Sequence, residues 1–138
     1  MATLELTIVT PEGPVYQGTV NSVVLPGSEG EFGVLPEHVR FLAPLKIGEA
    51  VVSPADGSDF YAAISGGFTN IDDDKVTVLA DACELSHDID VARANRAREL
   101  AEKHINELQV DQEEVQSLAE QQAALERALN RVQVAGHQ

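Results

Sequence analysis

The residues best suited to chemistry are one carboxylate and three arginines in the second half of the chain. Asp90 and Arg93 stand three residues apart in the segment Ile89-Asp90-Val91-Ala92-Arg93-Ala94, and Arg127 and Arg131 stand four apart further on. Both spacings place the pair on one face of a helix. If the two helices fold back antiparallel, three guanidiniums and one carboxylate converge. That set suits a polyphosphate together with a ribose or a base.

The same residues also fit a purely structural role. Asp90 favours a helix N-terminus, whereas Arg127 and Arg131 favour a helix C-terminus. Ion pairs along a helix commonly decorate a solvated surface and contribute little. Residue types alone therefore leave a binding site and a solvated helix surface both open.

No other group of residues supports catalysis or metal binding. The chain lacks a phosphate-binding glycine loop followed by lysine, a His-Glu-x-x-His motif and a cysteine pair, and its four histidines have no metal-ligand spacing. The neighbours Glu37 and His38 are expected to point apart rather than act as an acid-base pair. The run Asp72-Asp73-Asp74 is interpreted as a solvated hairpin turn, and Cys83 as a plain buried thiol. The sequence thus predicts no catalytic residue and no metal site.

Two helices must position the arginines. Small and aliphatic residues recur at steps of three or four from Val91 to Leu108, and again from Val115 to Val132. Asp111 followed by Glu113 and Glu114 predicts an N-cap between them. Residues 87–138 are therefore predicted to form an antiparallel helical hairpin. Burial of about a dozen aliphatic side chains would stabilise the hairpin by roughly 25 kcal/mol in total. Ordering its roughly fifty residues costs about 1 to 2 kcal/mol of backbone entropy for each residue. The isolated hairpin is therefore marginal and should need a docking surface.

Residues 1–86 are predicted to form a β-domain. Residues 4–9 alternate apolar and polar side chains, as do residues 75–79. Asp56-Gly57 predicts a reversal that pairs residues 49–53 with residues 59–65. Short strands at regular spacing indicate an antiparallel sandwich or a flattened barrel. The predicted class is therefore α+β, with the β-domain first and the helical hairpin second.

A glycine-rich segment organises this β-domain. Residues 25–38 contain three glycines, two prolines and one phenylalanine, with apolar side chains where a flexible loop would be polar. Such a shaped segment is either a docking edge or a sharp corner between two sheets. In the first interpretation the docking residues are Glu29, Gly30, Glu31, Phe32, Gly33, Val34 and His38.

The overall charge limits the possible partners. The 138 residues carry a net charge of -14, whereas nucleic acids and anionic membrane surfaces attract clustered lysine and arginine. We therefore expect no nucleic-acid partner, no direct membrane insertion, and instead a protein or a small ligand. The single cysteine excludes an internal disulfide, and the chain shows no signal sequence and no apolar run near 18 residues. These features favour the cytoplasm, with any work at a membrane done through other proteins.

Nearly the whole chain resembles the epsilon subunit of bacterial and chloroplast F-type ATP synthases. The resemblance implies a ten-stranded β-sandwich followed by a two-helix hairpin, which agrees with the periodicity. It is carried by these segments: Val9-Thr10-Pro11-Glu12-Gly13, Leu25-Pro26-Gly27-Ser28-Glu29-Gly30-Glu31-Phe32-Gly33-Val34-Leu35-Pro36, Ile64-Ser65-Gly66-Gly67-Phe68, Val76-Thr77-Val78-Leu79-Ala80 and Arg131-Val132.

This resemblance implies a non-catalytic rotor subunit of the central stalk. In that family the β-domain holds the gamma subunit and rests on the ring of c subunits, which couples proton flow to rotation. The helical hairpin either folds onto the sandwich or extends along gamma into the alpha/beta catalytic head, where it hinders ATP hydrolysis. The implied location is the cytoplasmic face of the bacterial inner membrane, as a peripheral part of the complex.

Some bacterial members of that family bind ATP in the folded state. Their motif is isoleucine or leucine, aspartate, two variable residues, arginine and alanine, and residues 89–94 match it. A second arginine follows seven residues later in those members, and here that position is Leu100. No cofactor is expected, with ATP as a possible regulatory ligand. The implied ATP-binding residues are Glu84, Ile89, Asp90, Arg93, Ala94, Arg127 and Arg131.

Two other functions stay open at this point. The first is a free-standing ATP-sensing module that uses the same arginines and has no large protein partner. The second is an enzyme built on the acidic sandwich, for which the sequence offers no cluster of candidate acids. Binding to a gamma subunit would separate the rotor subunit from both.

Overall fold

The computed structural model describes residues 3–36, 40–107 and 112–136. Within them, strands come first and two helices follow, so the predicted α+β class is confirmed. A single 3₁₀ turn, Ser86–Asp88, connects the two parts. The elements are β1 (Leu4–Thr10), β2 (Gly13–Gly27), β3 (Gly30–Val34), β4 (Phe41–Pro54), β5 (Phe60–Asp72), β6 (Lys75–Ala80), β7 (Cys83–Leu85), α1 (Val91–Glu107) and α2 (Gln112–Ala135).

The strands form one closed, flattened sheet. Its order is β1-β6-β5-β4-β2-β3, β7 pairs with β5, and a further pairing of β1 with β2 joins the sheet to itself. The interior is filled by aliphatic side chains that are fully buried, such as Leu6, Val23, Ile64 and Val78. Closure leaves few free edges, which are a liability for a sheet in water.

The described residues contain seven strands, whereas the resemblance implied ten. The difference comes from β2, β4 and β5, which are 15, 14 and 13 residues long. Each long strand changes its pattern or its neighbour part-way along. For example, β2 pairs with β1 up to Val20 and with β4 and β3 after it. Interpretation from the local sequence pattern counts each such long strand as two short strands.

One strand pair is parallel, against the prediction of a purely antiparallel sandwich. Strands β1 and β6 run in the same direction, from Glu5 beside Lys75 to Val9 beside Leu79. Parallel neighbours need a long connection, and here four strands lie between the two. Turn signals report only hairpins, so this long-range pairing leaves no local trace in the sequence.

Both predicted hairpin turns in the middle of the β-domain are present. Strands β4 and β5 pair with Ala50 opposite Ala62, and Gly57 supplies the positive φ of +135° that the reversal needs. Strands β5 and β6 meet through the acidic turn, where Asp73 and Asp74 have φ angles of 47° and 65°. Aspartate tolerates this left-handed region better than most residues. The acidic run is thus a hairpin turn.

The two helices form an antiparallel hairpin. Nδ1 of His104 on α1 lies 3.3 Å from Oε1 of Gln121 on α2. Near the other end of the hairpin, Arg131 of α2 lies beside the start of α1. The predicted N-cap at Asp111 falls outside the described residues. The buried side of α2 includes Ala128 and Val134, whereas Leu129 is 44% exposed. Val132 of the predicted stripe does pack against the apolar cluster beneath the hairpin, whereas Leu129 does not belong to the buried side.

The hairpin is folded against the β-domain. Ala63 on β5 packs with Ile89, Ala94, Val134 and Ala135, and this small cluster is separate from the core of the sheet. The sequence left a folded and an extended hairpin both open. The structure shows the folded arrangement.

Candidate functional site

A small polar recess lies where the two parts of the chain meet. Strand β7, the 3₁₀ turn, the start of α1 and the end of α2 each contribute side chains to it. Its volume is about 120 Å³, and it is lined by Glu84, Asp88, Asp90, Arg93, Ala94 and Arg131. Five of the seven residues that the sequence suggested for ATP binding are therefore brought together.

Asp90 serves first as the cap of α1. Its Oδ1 accepts a hydrogen bond from the backbone N–H of Arg93 at 3.0 Å, and its backbone carbonyl accepts from Ala94 at 3.0 Å. A capping aspartate satisfies one of the free N–H groups of the first turn and places negative charge at the positive end of the helix dipole. The structural role considered for Asp90 is thus realised, and the Arg93 side chain stays exposed beside it.

Arg131 connects α2 to the β-domain in the recess. Its Nε lies 3.9 Å from Oε1 of Glu84, and its side chain is 25% exposed. At that distance and exposure the ion pair is weak, within about 1 kcal/mol. Arg131 can therefore exchange Glu84 for another anion at little cost.

Two of the suggested residues lie outside the lining of the recess. Ile89 is buried in the apolar cluster beneath the hairpin, so it supports the recess rather than facing it. Arg127 is half-buried on α2, one turn before Arg131. The sequence reasoning missed Asp88, which lines the recess from the 3₁₀ turn. Its only signal was its place in Ser86-His87-Asp88, where the hydrophobic period changes.

The charges of the recess nearly balance. Three carboxylates face two guanidiniums in its lining. The net charge of the lining is slightly negative, so it would weakly repel a polyphosphate unless another positively charged side chain joined the recess. Arg127 is the nearest candidate along α2, because residues four apart lie on the same helical face.

The glycine-rich segment forms the tip of the β2–β3 hairpin. Gly27 pairs with Gly30 across a two-residue turn of Ser28 and Glu29, and Gly30 has a φ of +133°. Among the predicted docking residues, Glu29, Gly30, Glu31 and Gly33 are exposed, Phe32 is half-buried and Val34 is buried. His38 falls outside the described residues, and whether this segment docks stays a prediction.

Phe32 anchors a cleft beneath this tip. Its ring meets that of Phe41 edge-on, with ring centroids 5.6 Å apart. The cleft measures about 300 Å³ and is lined by the tip and by the first residues of β4, including Leu42 and Pro44. The segment is thus both a corner of the sheet and a shaped, partly apolar surface.

An apolar outer row extends from this cleft across three strands. We define it as Leu42, Pro44, Phe68 and Leu79. Pro44 is paired with Phe68, and Phe68 with Leu79, so their side chains stand on the same outer face of the sheet. Leu42, Phe68 and Leu79 are 67%, 54% and 54% exposed. An exposed apolar row of this kind is a candidate interaction surface.

The sequence reasoning missed the apolar outer row. One signal was present: in β6, Lys75, Thr77 and Leu79 share the face opposite Val76 and Val78. A leucine on a face that is otherwise polar stands out. Its neighbours on that face come from β4 and β5, which only the strand register reveals.

Cys83 is chemically quiet. Burial, and secondarily the nearby negative charge of Glu84, raises the pKa of its thiol to about 12. A nucleophilic cysteine needs a lowered pKa. No group of three or more His, Cys, Asp or Glu side chains suited to a metal ion occurs in the described residues.

Comparisons with known proteins agree across the whole length. Residues 3–86 match the beta-sandwich domain of the ATP synthase delta/epsilon chain, and residues 87–136 match its long alpha-helix domain. The ATP synthase epsilon chain of Halalkalibacterium halodurans is 43% identical over 136 residues, which is 99% of both chains. The epsilon chain of Nitratidesulfovibrio vulgaris is 44% identical over 134 residues, covering 97% of this chain and 96% of that one.

Solved structures show the same fold. A chain of the Euglena gracilis mitochondrial ATP synthase, in a structure of OSCP/F1/c-ring, aligns with a TM-score of 0.80 at 24% identity, over 99% of this chain and 83% of that one. A chain of the central stalk/c-ring structure of the Tetrahymena thermophila enzyme aligns with a TM-score of 0.59 at 15% identity. None of the helices in the described residues is long and apolar enough to cross a membrane. The resemblance to epsilon subunits is thereby confirmed, and the chain belongs to the ATP synthase delta/epsilon chain family.

Proposed function

We propose that this chain is a non-catalytic rotor subunit that binds the gamma subunit through its apolar outer row. The observation that carries the proposal is the exposure of Leu42, Phe68 and Leu79 on one face of an otherwise acidic protein. Burying such a row against a partner removes apolar surface from water, which is the main favourable term in association. The relatives named as ATP synthase epsilon chains and the c-ring complexes among the structural matches support a place in the central stalk.

The tip of the β2–β3 hairpin is our candidate for contact with the c-ring. Glu29 and Glu31 are exposed there, beside a cleft that opens next to the apolar outer row. An acidic tip suits a partner with basic or hydrogen-bond-donating loops. With gamma on the outer row and the c-ring at the tip, the subunit couples rotation of the ring to the stalk. The location that goes with this proposal is the cytoplasmic face of the bacterial inner membrane, where other subunits would hold the chain.

The helical hairpin is the proposed regulatory part. In the folded state, the hairpin packs against the β-domain. In an extended state it would reach the alpha/beta head and hinder ATP hydrolysis. ATP would bias the folded state because the polar recess takes residues from β7, α1 and α2 at once. A ligand that binds only the folded state stabilises it by mass action.

The size of the recess limits how ATP would bind. A volume of about 120 Å³ is well below the roughly 300 to 1,000 Å³ of a typical ligand pocket. The nucleotide would therefore lie across the recess with one end in it. Arg131 would leave Glu84 for the phosphates, with Arg93 beside it and Arg127 supplying a third positive charge.

Reconstitution with the gamma subunit tests the rotor proposal. We expect a stable one-to-one complex with gamma, and no ATP hydrolysis by this chain alone. Failure to bind gamma, with saturable ATP binding retained, would instead favour the free-standing ATP-sensing module.

Calorimetric titration with magnesium-free ATP tests the regulatory ligand. We expect one-to-one binding that is lost in Arg93→Ala and in Arg131→Ala, with Arg96→Ala, an exposed arginine on α1 outside the recess lining, as the control. Absence of heat and of thermal protection at millimolar ATP would show that the recess is only a structural polar network.

A further inference from the structure

We propose that Asn130 is a latch that holds the folded hairpin, and that Pro26 connects this latch to the β2–β3 tip. Asn130 lies on α2, one residue before Arg131. Its Nδ2 donates a hydrogen bond to the carbonyl oxygen of Gly48 at 2.8 Å, and lies 3.5 Å from the carbonyl oxygen of Ile64. Gly48 and Ile64 face each other across β4 and β5. One amide group thus fixes α2 above a defined point of the sheet.

The other contacts named above between α2 and the β-domain are less directional. The apolar cluster beneath the hairpin consists mainly of small side chains, including Ala63, Ala94 and Ala135. Such contacts favour close approach but tolerate sliding, since dispersion and burial have little directionality. The ion pair of Arg131 with Glu84 is long, at 3.9 Å. The short hydrogen bond from the Asn130 amide therefore holds α2 at a defined position along the sheet.

Gly48 links the latch to the tip of the β2–β3 hairpin. A β-carbon added at Gly48 would lie 2.6 Å from Cβ of Pro26, so the proline already fills that space. Pro26 is paired with Glu31 and stands two residues before the turn. Pro26, Glu31, Gly48 and Asn130 line one cleft of about 300 Å³ between α2 and the sheet.

This chain of contacts couples two surfaces that the proposed function keeps apart. A partner that moves the tip also moves Pro26. Pro26 packs against Gly48, whose carbonyl oxygen accepts the hydrogen bond from Asn130. Coupling is reciprocal, so docking of the hairpin must also bias the tip. The regulatory meaning of this link rests on the proposed function, whereas the link itself does not.

Hydrogen exchange of the isolated chain tests the latch without ATP or gamma. We expect Asn130→Ala to speed amide exchange in residues 125–135 by about fivefold, the effect of losing one net hydrogen bond. Alanine has a higher helix propensity than asparagine, so without a latch the same change would slow exchange in α2. The two explanations thus predict opposite signs.

Two further variants sharpen this measurement. Asn130→Asp should speed exchange more than Asn130→Ala, because a carboxylate cannot donate to the Gly48 carbonyl and joins Glu31, Glu49 and Glu126 in a cleft where Lys46 offsets only part of their charge. Gln122→Ala removes an exposed amide from the same helix and should leave exchange in residues 125–135 unchanged. Exchange in Asn130→Ala equal to or slower than in the parent chain would overturn the latch.

A double-mutant cycle tests the connection to the tip. Pro26→Ala alone should speed exchange in residues 125–135, but it should add little in a chain that already carries Asn130→Ala. Pro11→Ala, in the β1–β2 turn, is the matched proline control. Fully additive effects would reject the connection while leaving the latch in place. Loss of gamma or ATP binding would change neither result, so the two proposals fail separately.

Discussion

Removing the ring of Phe68 should weaken binding to gamma by about 20-fold. The side chain is 54% exposed in this chain, and an aromatic side chain of about 200 Å² then offers roughly 110 Å² to a partner. Alanine keeps about a third of that area, so the loss is about 1.8 kcal/mol at 25 cal/mol per Å². A free-energy change of that size is about a 20-fold increase in Kd.

The assay is titration of purified gamma subunit with parent and variant chains. Leu129→Ala is the matched control, because Leu129 is similarly exposed, at 44%, but lies on α2 away from the outer row. Thermal unfolding should show nearly the same stability for Phe68→Ala, since truncating an exposed side chain changes unfolding little. An unchanged Kd for Phe68→Ala, or a larger loss for Leu129→Ala, would refute the assignment of the outer row.

Three further predictions follow from single positions. Gly67→Ala should destabilise the fold by about 3 to 5 kcal/mol in denaturant unfolding, because its β-carbon would lie 2.1 Å from the carbonyl oxygen of Leu79 at a φ of +124°; wild-type stability would contradict the described backbone. Cys83 should react with a small thiol reagent at pH 8 at least about tenfold more slowly than in the unfolded chain, because burial raises its pKa from 9.0 to about 12 and leaves little thiolate; equal rates would show an open site. Asp88→Asn should tighten ATP binding about threefold in calorimetry by removing one of three carboxylates from the recess; weaker binding would place the phosphates elsewhere.

The local parts of the fold follow from the sequence. Asp56 and Gly57 predicted the hairpin of β4 and β5 because only a few residue types adopt the backbone angles of a tight reversal. The spacing of apolar residues after Ser86 predicted two helices because that period is fixed by helix geometry. In both cases the information lies within a few residues.

The long-range parts could not be predicted in the same way. The parallel pairing of β1 with β6 brings Val9 beside Leu79, seventy residues along the chain. Its free energy depends on the closure of the whole sheet rather than on either segment. The same reason explains why the outer row was missed, since Pro44, Phe68 and Leu79 become neighbours only through strand register.

The polar recess was predictable in composition but not in detail. Asp90, Arg93 and Arg131 come together because an antiparallel hairpin forces the end of α2 to the level of the start of α1. Arg127 does not line the recess, and Asp88 does. Helix spacing fixes the face of the helix on which a side chain lies. The 3₁₀ turn contributes Asp88 to the recess, and its geometry does not follow from helix spacing.

The same small residues that bring α2 close to the sheet also keep the hairpin easy to release. A buried methyl group contributes about 0.8 kcal/mol, so Ala63, Ala94 and Ala135 together contribute only a few kcal/mol, less than the larger Ile89 and Val134 beside them. Larger side chains would bury more area but would hold α2 too far from Gly48 for the amide of Asn130 to reach its carbonyl at 2.8 Å. Close packing and one directional hydrogen bond therefore define the docked position sharply, and a ligand or partner that binds one position of the hairpin better shifts the balance by its difference in affinity.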